Sequence, residues 1–130
     1  MSQVKIYGLR SHLTPIKSQL SDIIHSCVVD ALHYPIDKRF HRFFPLEPDD
    51  YYYPSGERTE RYTIIELSMF EGRTVAAKKQ LIRLLFDRLD KEFGISNLDL
   101  EITIFETAKH NWGIRGLPGD ELSLSYKVNV

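Results

Sequence analysis

"YTIIELSMFEGRTVAAKKQLIRLLFDRLDKEFGISNLDLEITIFE", residues 62–106, changes its hydrophobic period twice. Over 62–70 the alternation puts Thr63, Ile65, Leu67 and Met69 on one side, which is the two-residue repeat of a strand. Glu71-Gly72-Arg73 reads as a turn, and Thr74 can accept a backbone N–H as the N-cap of a helix. Val75, Lys78, Ile82, Leu85, Leu89 and Phe93 then recur at helical spacing, and Gly94 supplies a C-terminal stop. "LEITIFE", residues 100–106, alternates again. The stretch is a β-α-β unit.

The first part of the chain repeats this order. "VKIYGL" (4–9) is a short β-type run, and Thr14-Pro15 resembles an N-cap with proline at the first helical position. Leu20, Ile23, Ile24, Cys27, Val28, Ala31 and Leu32 form an apolar helical stripe, with Ser21, Asp22, Ser26 and Asp30 opposite, before Pro35 stops it. "FHRFFPL" (40–46) is the next strand candidate, and its Pro45 suits a sheet edge or a strand end. A shift of about sixty residues lays Ile36 over Ile95 and Leu46-Glu47 over Phe105-Glu106. We therefore expect one domain over 1–130, with pseudo-repeats at 1–47 and 62–106, a tyrosine-rich surface loop at 47–61 and a C-terminal loop and strand at 107–130.

Right-handed crossovers put both helices on one face of a four-stranded mixed sheet, an α+β fold built from β-α-β units. The other face then carries Ile or Phe beside Glu and Ser, too apolar to stay bare, so the sequence predicts packing against further copies. "LSLSYKVNV" (122–130) alternates throughout and predicts a strand at a sheet edge, a neighbouring subunit's being one partner.

Composition narrows the function. The 130 residues carry a formal net charge of −1, which argues against a nucleic-acid binder. No apolar run reaches the ~18–20 residues of a membrane span, and "MSQVKIYGL" lacks the apolar core of a secretory signal. The single cysteine, Cys27, allows no intramolecular disulfide; it suits a reducing cytoplasm and reads as core filler. His12, His25, His33, His41 and His110 show no H-x3-H or H-E-x-x-H spacing, so neither a metal nor a cofactor is expected. His25 falls on the polar side of the first helix and is expected to be exposed.

"HSCVVDALHYP", "IIELSMFEGRTVAAKK", "GISNLDLEITIFE" and "NWGIRG", in this order and spacing over nearly the whole chain, resemble the tautomerase superfamily, and within it the malonate semialdehyde decarboxylase branch. The resemblance implies a homotrimer whose sheets form a central barrel. It also implies chemistry at an N-terminal proline freed by loss of the initiator methionine, with arginines holding a carboxylate substrate. Here Ser2 stands in the proline's place. Arg73 matches the arginine before the second helix; Glu71 stands where the decarboxylase has a second arginine, and Lys38, beside Asp37, where it has an acid. The resemblance thus carries over proton transfer on small keto or enol carboxylates, and not decarboxylation.

Residues 110–121, "HNWGIRGLPGDE", hold the only tryptophan. With the loop closed over a pocket, Trp112 walls it and Arg115 faces an anionic ligand; otherwise Trp112 anchors a subunit contact and Arg115 pairs with Asp120 or Glu121. Arg73 sits at a helix N-terminus, where free N–H groups already favour anions. Ser2 and Arg73 are the candidate catalytic residues, and Arg73, Trp112 and Arg115 the candidate ligand contacts. Tyr51 or Tyr52 reads as a pocket contributor or as packing for the long loop, and Glu66 and Glu106 as bases or as paired carboxylates. The same chain also fits a catalytically silent trimer that binds an acidic metabolite or a protein partner.

Overall fold

A computed structural model describes residues 2–130. The chain runs β1 (Ser2–Leu9), α1 (Arg10–Leu32), β2 (His41–Leu46), β3 (Thr63–Phe70), α2 (Val75–Phe93) and β4 (Leu100–Thr107). A short hairpin follows, β5 (Gly113–Ile114) and β6 (Leu117–Pro118). The sheet order is β2-β1-β3-β4, with parallel outer pairs and an antiparallel central one. β1 and β3 alternate buried and half-buried residues in the same pattern, so the two β-α-β units meet across the centre as near-equivalents. Val4, Ile6, Ile65, Leu67 and Met69 face the helices. Leu20, Ile24, Cys27 and Val28 of α1 and Leu81, Leu85 and Leu89 of α2 cover them. Each such side chain contributes about 1.5–3 kcal/mol of burial. Arg88 ties the helices together, donating to Ser26 Oγ at 3.0 Å and Asp30 Oδ2 at 2.7 Å.

α2 begins and ends where the sequence places it. Thr74 accepts from the Ala77 N–H, and Gly94 closes the helix at φ 65°. Its buried stripe is one step round, however, because Val75 is exposed and Leu81 takes the central place.

Three further expectations fail. α1 starts directly after β1 at Arg10, with Pro15 inside it and Leu9 as a cap without a side-chain bond. Leu13 lies so close to Gly8 that a Cβ there would be 3.0 Å from Leu13 Cγ, and this packing outweighs the amide bond that Pro15 forgoes. His25 is buried, with Nε2 2.7 Å from the Ile36 carbonyl oxygen, because the carbonyl beyond the helix end needs a partner. The tail 122–130 keeps its alternation as a pattern of burial but forms no strand; it is held by side-chain packing of Val128 on Phe70 and Tyr126 on Tyr34, and by the Thr74 N–H donating to the Val130 carbonyl. The short C-terminal pairing is the β5–β6 hairpin.

The face away from the helices presents Gln3, Lys5 and Tyr7, flanked by Arg42 and Phe44, Ile64 and Glu66, and Phe105. Tyr7 stacks on Phe44 with centroids 4.7 Å apart, Arg42 donates to Gln3 Oε1 at 3.1 Å, and Phe105 is half exposed. No helix of the described residues is long and apolar enough to cross a membrane.

Candidate functional site

The sheet's strand directions assemble one end of the molecule. Antiparallel pairing sets Ser2 beside Met69, so the start of β1 meets the end of β3. Parallel pairing adds the end of β4, with Phe70 opposite Thr107. α1 returns to this end and delivers Tyr34, and α2 starts there. Gly72, at φ 125°, makes the turn that brings Arg73 inward.

Arg73 is only 4% exposed. Its Nη1 donates to the Phe70 carbonyl at 3.3 Å; among the described residues Nε and Nη2 are buried without a close hydrogen-bond acceptor, and the Tyr126 hydroxyl interacts with the guanidinium. Those two atoms form one edge of the guanidinium, the edge that grips a carboxylate through two parallel bonds. Burial pushes the Arg73 pKa down, and the Tyr126 and Tyr34 phenols and the Glu106 carboxylate pull it back up. Glu106 is itself held by Lys78 at 2.6 Å.

Ser2 is also buried, and its N–H donates to the Tyr34 hydroxyl at 3.2 Å. Met1, whose counterpart the resemblance implies is lost, lies outside the described residues. Tyr34 meets Tyr126 edge to face with ring centroids 5.0 Å apart, and Tyr126 lies near both Arg73 and Arg115. Beyond Ser2 is a cavity of about 160 Å³ lined by Ser2, Gln3, Phe40, Trp112, Gly113 and Ile114. Trp112 is half-buried edge-on to Phe70 at 5.2 Å, and its carbonyl accepts from the Gly119 N–H at 2.6 Å. Arg115 and Gly116, both at positive φ, turn the β5–β6 hairpin and leave Arg115 exposed at its tip. Among the described residues Arg115 forms no ion pair with Asp120 or Glu121.

The tail closes this end. Val128 is buried against Phe70 and lies 3.3 Å from where a Gly72 Cβ would stand, and the Thr74 N–H donates to the Val130 carbonyl at 2.9 Å.

Ser2, Arg73 and Trp112 thus lie at one end with Arg115 at its rim. Tyr34 and Tyr126, which connect them, escape a sequence reading because each sits in a local pattern that already has a structural explanation. Tyr51 and Tyr52 lie elsewhere. Tyr51 packs on Tyr53 and Tyr62 at the start of β3, the opposite end of that strand, and Tyr52 is fully outside. Glu66 is on the uncovered sheet face beside Tyr7. Among the described residues no three His, Cys, Asp or Glu side chains are grouped to hold a metal.

Comparison with known proteins agrees with this geometry. The chain is 26% identical over 98 residues to "Probable tautomerase YusQ" of Bacillus subtilis (strain 168), covering 72% of this chain and 77% of that one. A malonate semialdehyde decarboxylase structure superposes with a TM-score of 0.79 at 20% identity, covering 92% of this chain and 99% of that one. A wild-type fused 4-OT, solved as a symmetric trimer, gives 0.77 at 19% identity over 91% and 96% of the two chains. At such identities the structural likeness is one of fold. The family model described as "Tautomerase enzyme" matches residues 38–115, from just before β2 to the tip of the tryptophan hairpin. A sheet of paired β-α-β units, an inward arginine ahead of its second helix and a match over more than half the length have one conclusion: this chain belongs to the tautomerase family.

Proposed function

We propose that this protein moves a proton between oxygen and carbon on small keto or enol carboxylates, as a homotrimer in the cytoplasm, where its one thiol, the buried Cys27, stays reduced. The observation that carries this reading is the buried Nε–Nη2 edge of Arg73, which among the described residues has no close acceptor, at the end of the molecule that holds Ser2 and Trp112. A buried cation whose donors are only partly matched is expensive, and an entering carboxylate would satisfy both N–H groups at once. Arg73 then holds the carboxylate and spreads the enolate charge. Trp112 walls the cavity beside Ser2, and Arg115 guides the anion from the rim. No cofactor is required.

With Met1 removed, the Ser2 nitrogen becomes a primary amine with an ordinary pKa of about 7.7–8, close to a useful base. In ketonisation the amine takes the enol hydroxyl proton as the C=O bond forms, and a proton returns from it to the neighbouring carbon. The substrate leaves isomerised and the amine unchanged. The uncovered sheet face supports self-association, since a surface with Tyr7, Phe44, Ile64 and Phe105 gains by being covered. The trimeric fused 4-OT neighbour supports the same number of copies.

The test is ketonisation of phenylenolpyruvate by the wild type, Ser2→Pro and Arg73→Ala, with the assembly weighed by light scattering. Wild-type turnover lost in Arg73→Ala is the expected result. Serine in place of the family's proline favours a second reading, a silent trimer that binds an acidic metabolite or a protein partner. Turnover by Ser2→Pro alone would select it, and a monomer in solution would overturn the assembly.

A further inference from the structure

We propose that Tyr34 is the positioning residue for the nitrogen of residue 2, and that Tyr126 links that nitrogen to the anion-holding Arg73. The inference rests on the proton-transfer reading above, but it concerns residues that reading does not use.

The argument begins with what a short primary amine lacks. A proline nitrogen is fixed by its ring, whereas the α-amine of a serine at the start of a strand turns about its N–Cα bond. Something outside the residue has to hold it. β1 fixes the backbone through its pairing with Met69, and among the described residues the one side chain bonded to the nitrogen is Tyr34, whose oxygen accepts its N–H at 3.2 Å. Tyr34 is itself immobile, being 3% exposed and wedged between Tyr126 and the edge of His25.

Position is set on both sides of the phenol. Tyr126 contacts the Tyr34 ring, interacts with its hydroxyl and lies at the Arg73 guanidinium. A chain of polar contacts therefore runs from the residue-2 nitrogen through Tyr34 and Tyr126 to the carboxylate-holding edge. Its length fixes the separation between the atom that moves a proton and the group that orients the substrate. Because the nitrogen donates to Tyr34, this bond favours the charged amine. The other groups facing the cluster are His25 from α1, His41 from the start of β2, Glu106 from the end of β4 and Arg115 from the hairpin. None of these is bonded to the residue-2 nitrogen, so Tyr34 is where its protonation is adjusted.

Phenylalanine at position 34 preserves the ring packing and removes only the hydroxyl. The protein is prepared from a fusion cut so that Ser2 is the first residue, verified by intact mass. Two readouts are taken on wild type, Tyr34→Phe and Tyr126→Phe: the pH dependence of α-amine labelling by fluorodinitrobenzene, and the pH profile of phenylenolpyruvate ketonisation. Tyr34→Phe should lower the labelling midpoint by about one pH unit, the worth of one hydrogen bond to a charged group. It should move the acidic limb of kcat/KM equally and lower kcat at least tenfold, with KM changed less than twofold. Tyr126→Phe should leave the labelling midpoint in place and raise KM. A Tyr34→Phe midpoint within 0.2 unit of wild type, with unchanged melting, would overturn the proposal whatever the turnover. A shifted midpoint without wild-type turnover would retain Tyr34's role and reject proton-transfer catalysis instead.

Discussion

Replacing Arg73 by methionine should make the unliganded protein more stable, not less. The residue is only 4% exposed, and among the described residues its Nε and Nη2 have no close hydrogen-bond acceptor. Each buried, unsatisfied N–H costs about 1–3 kcal/mol, and more when the group is charged. Methionine removes both orphans and fills most of the same volume with apolar atoms. Against this stand the lost bond to the Phe70 carbonyl and imperfect packing, about 1 kcal/mol each. The balance is a gain of up to about 4 kcal/mol, or a rise in Tm of up to about 12 °C for a chain of this length. The assay is thermal unfolding followed by Trp112 fluorescence at fixed protein concentration, with and without phenylpyruvate. A ligand at a hundred times its Kd should stabilise the wild type by about 2.7 kcal/mol and leave the variant unmoved. An Arg73 that holds the fold together would give the opposite result. A fall in Tm of more than about 4 °C on Arg73→Met would refute the argument that this guanidinium waits for an anion.

Other expectations concern the frame of the site. Gly119→Ala places a Cβ 2.5 Å from the Lys109 carbonyl oxygen and 2.9 Å from Phe70 Cζ, so it should destabilise by about 2 kcal/mol or more and red-shift Trp112 emission. Thr74→Ala removes the cap on α2 and should cost about 1 kcal/mol in urea unfolding with m unchanged. His41 is held down to about 4, first by burial and then by His25 and Arg39. A histidine with a lowered folded pKa is fully stabilising above its unfolded value of about 6.5, and that stability is lost as pH falls towards 4. Stability should therefore drop by about 2–3 kcal/mol across this window in wild type and visibly less in His41→Gln, measured by chemical denaturation at each pH.

Local chemistry made the second β-α-β unit legible. Thr74 and Gly94 mark the ends of α2 by capping that needs no tertiary help. Thr14-Pro15 offers the same signal falsely, because Leu13 against Gly8 carries α1 back to Arg10, and only the folded chain brings those two together. His25 looked exposed from its position on a helical wheel; its partner, the Ile36 carbonyl, lies in the loop beyond the helix and is invisible to periodicity. The tail's alternation was real, but alternation records burial on one side and is silent about whether a strand or a helix end supplies the cover. Arg73 could be found from its place before a helix. Tyr34 and Tyr126 could not, since 92 residues separate two rings whose contact exists only once both chain ends fold to the same corner.

The matching burial of β1 and β3 makes each end of the sheet a counterpart of the other. At the far end, Thr63 stands where Ser2 stands at the near one, yet its hydroxyl is bonded by His12 and the Arg61 carbonyl. Tyr51, Tyr53 and Tyr62 stack over the corner, and Arg58 lies on the Tyr62 ring. The molecule therefore contains its own reference experiment. One corner shows how completely this architecture can be plugged with aromatic rings, and the other seats a guanidinium among two phenols, a far more polar filling of the same frame.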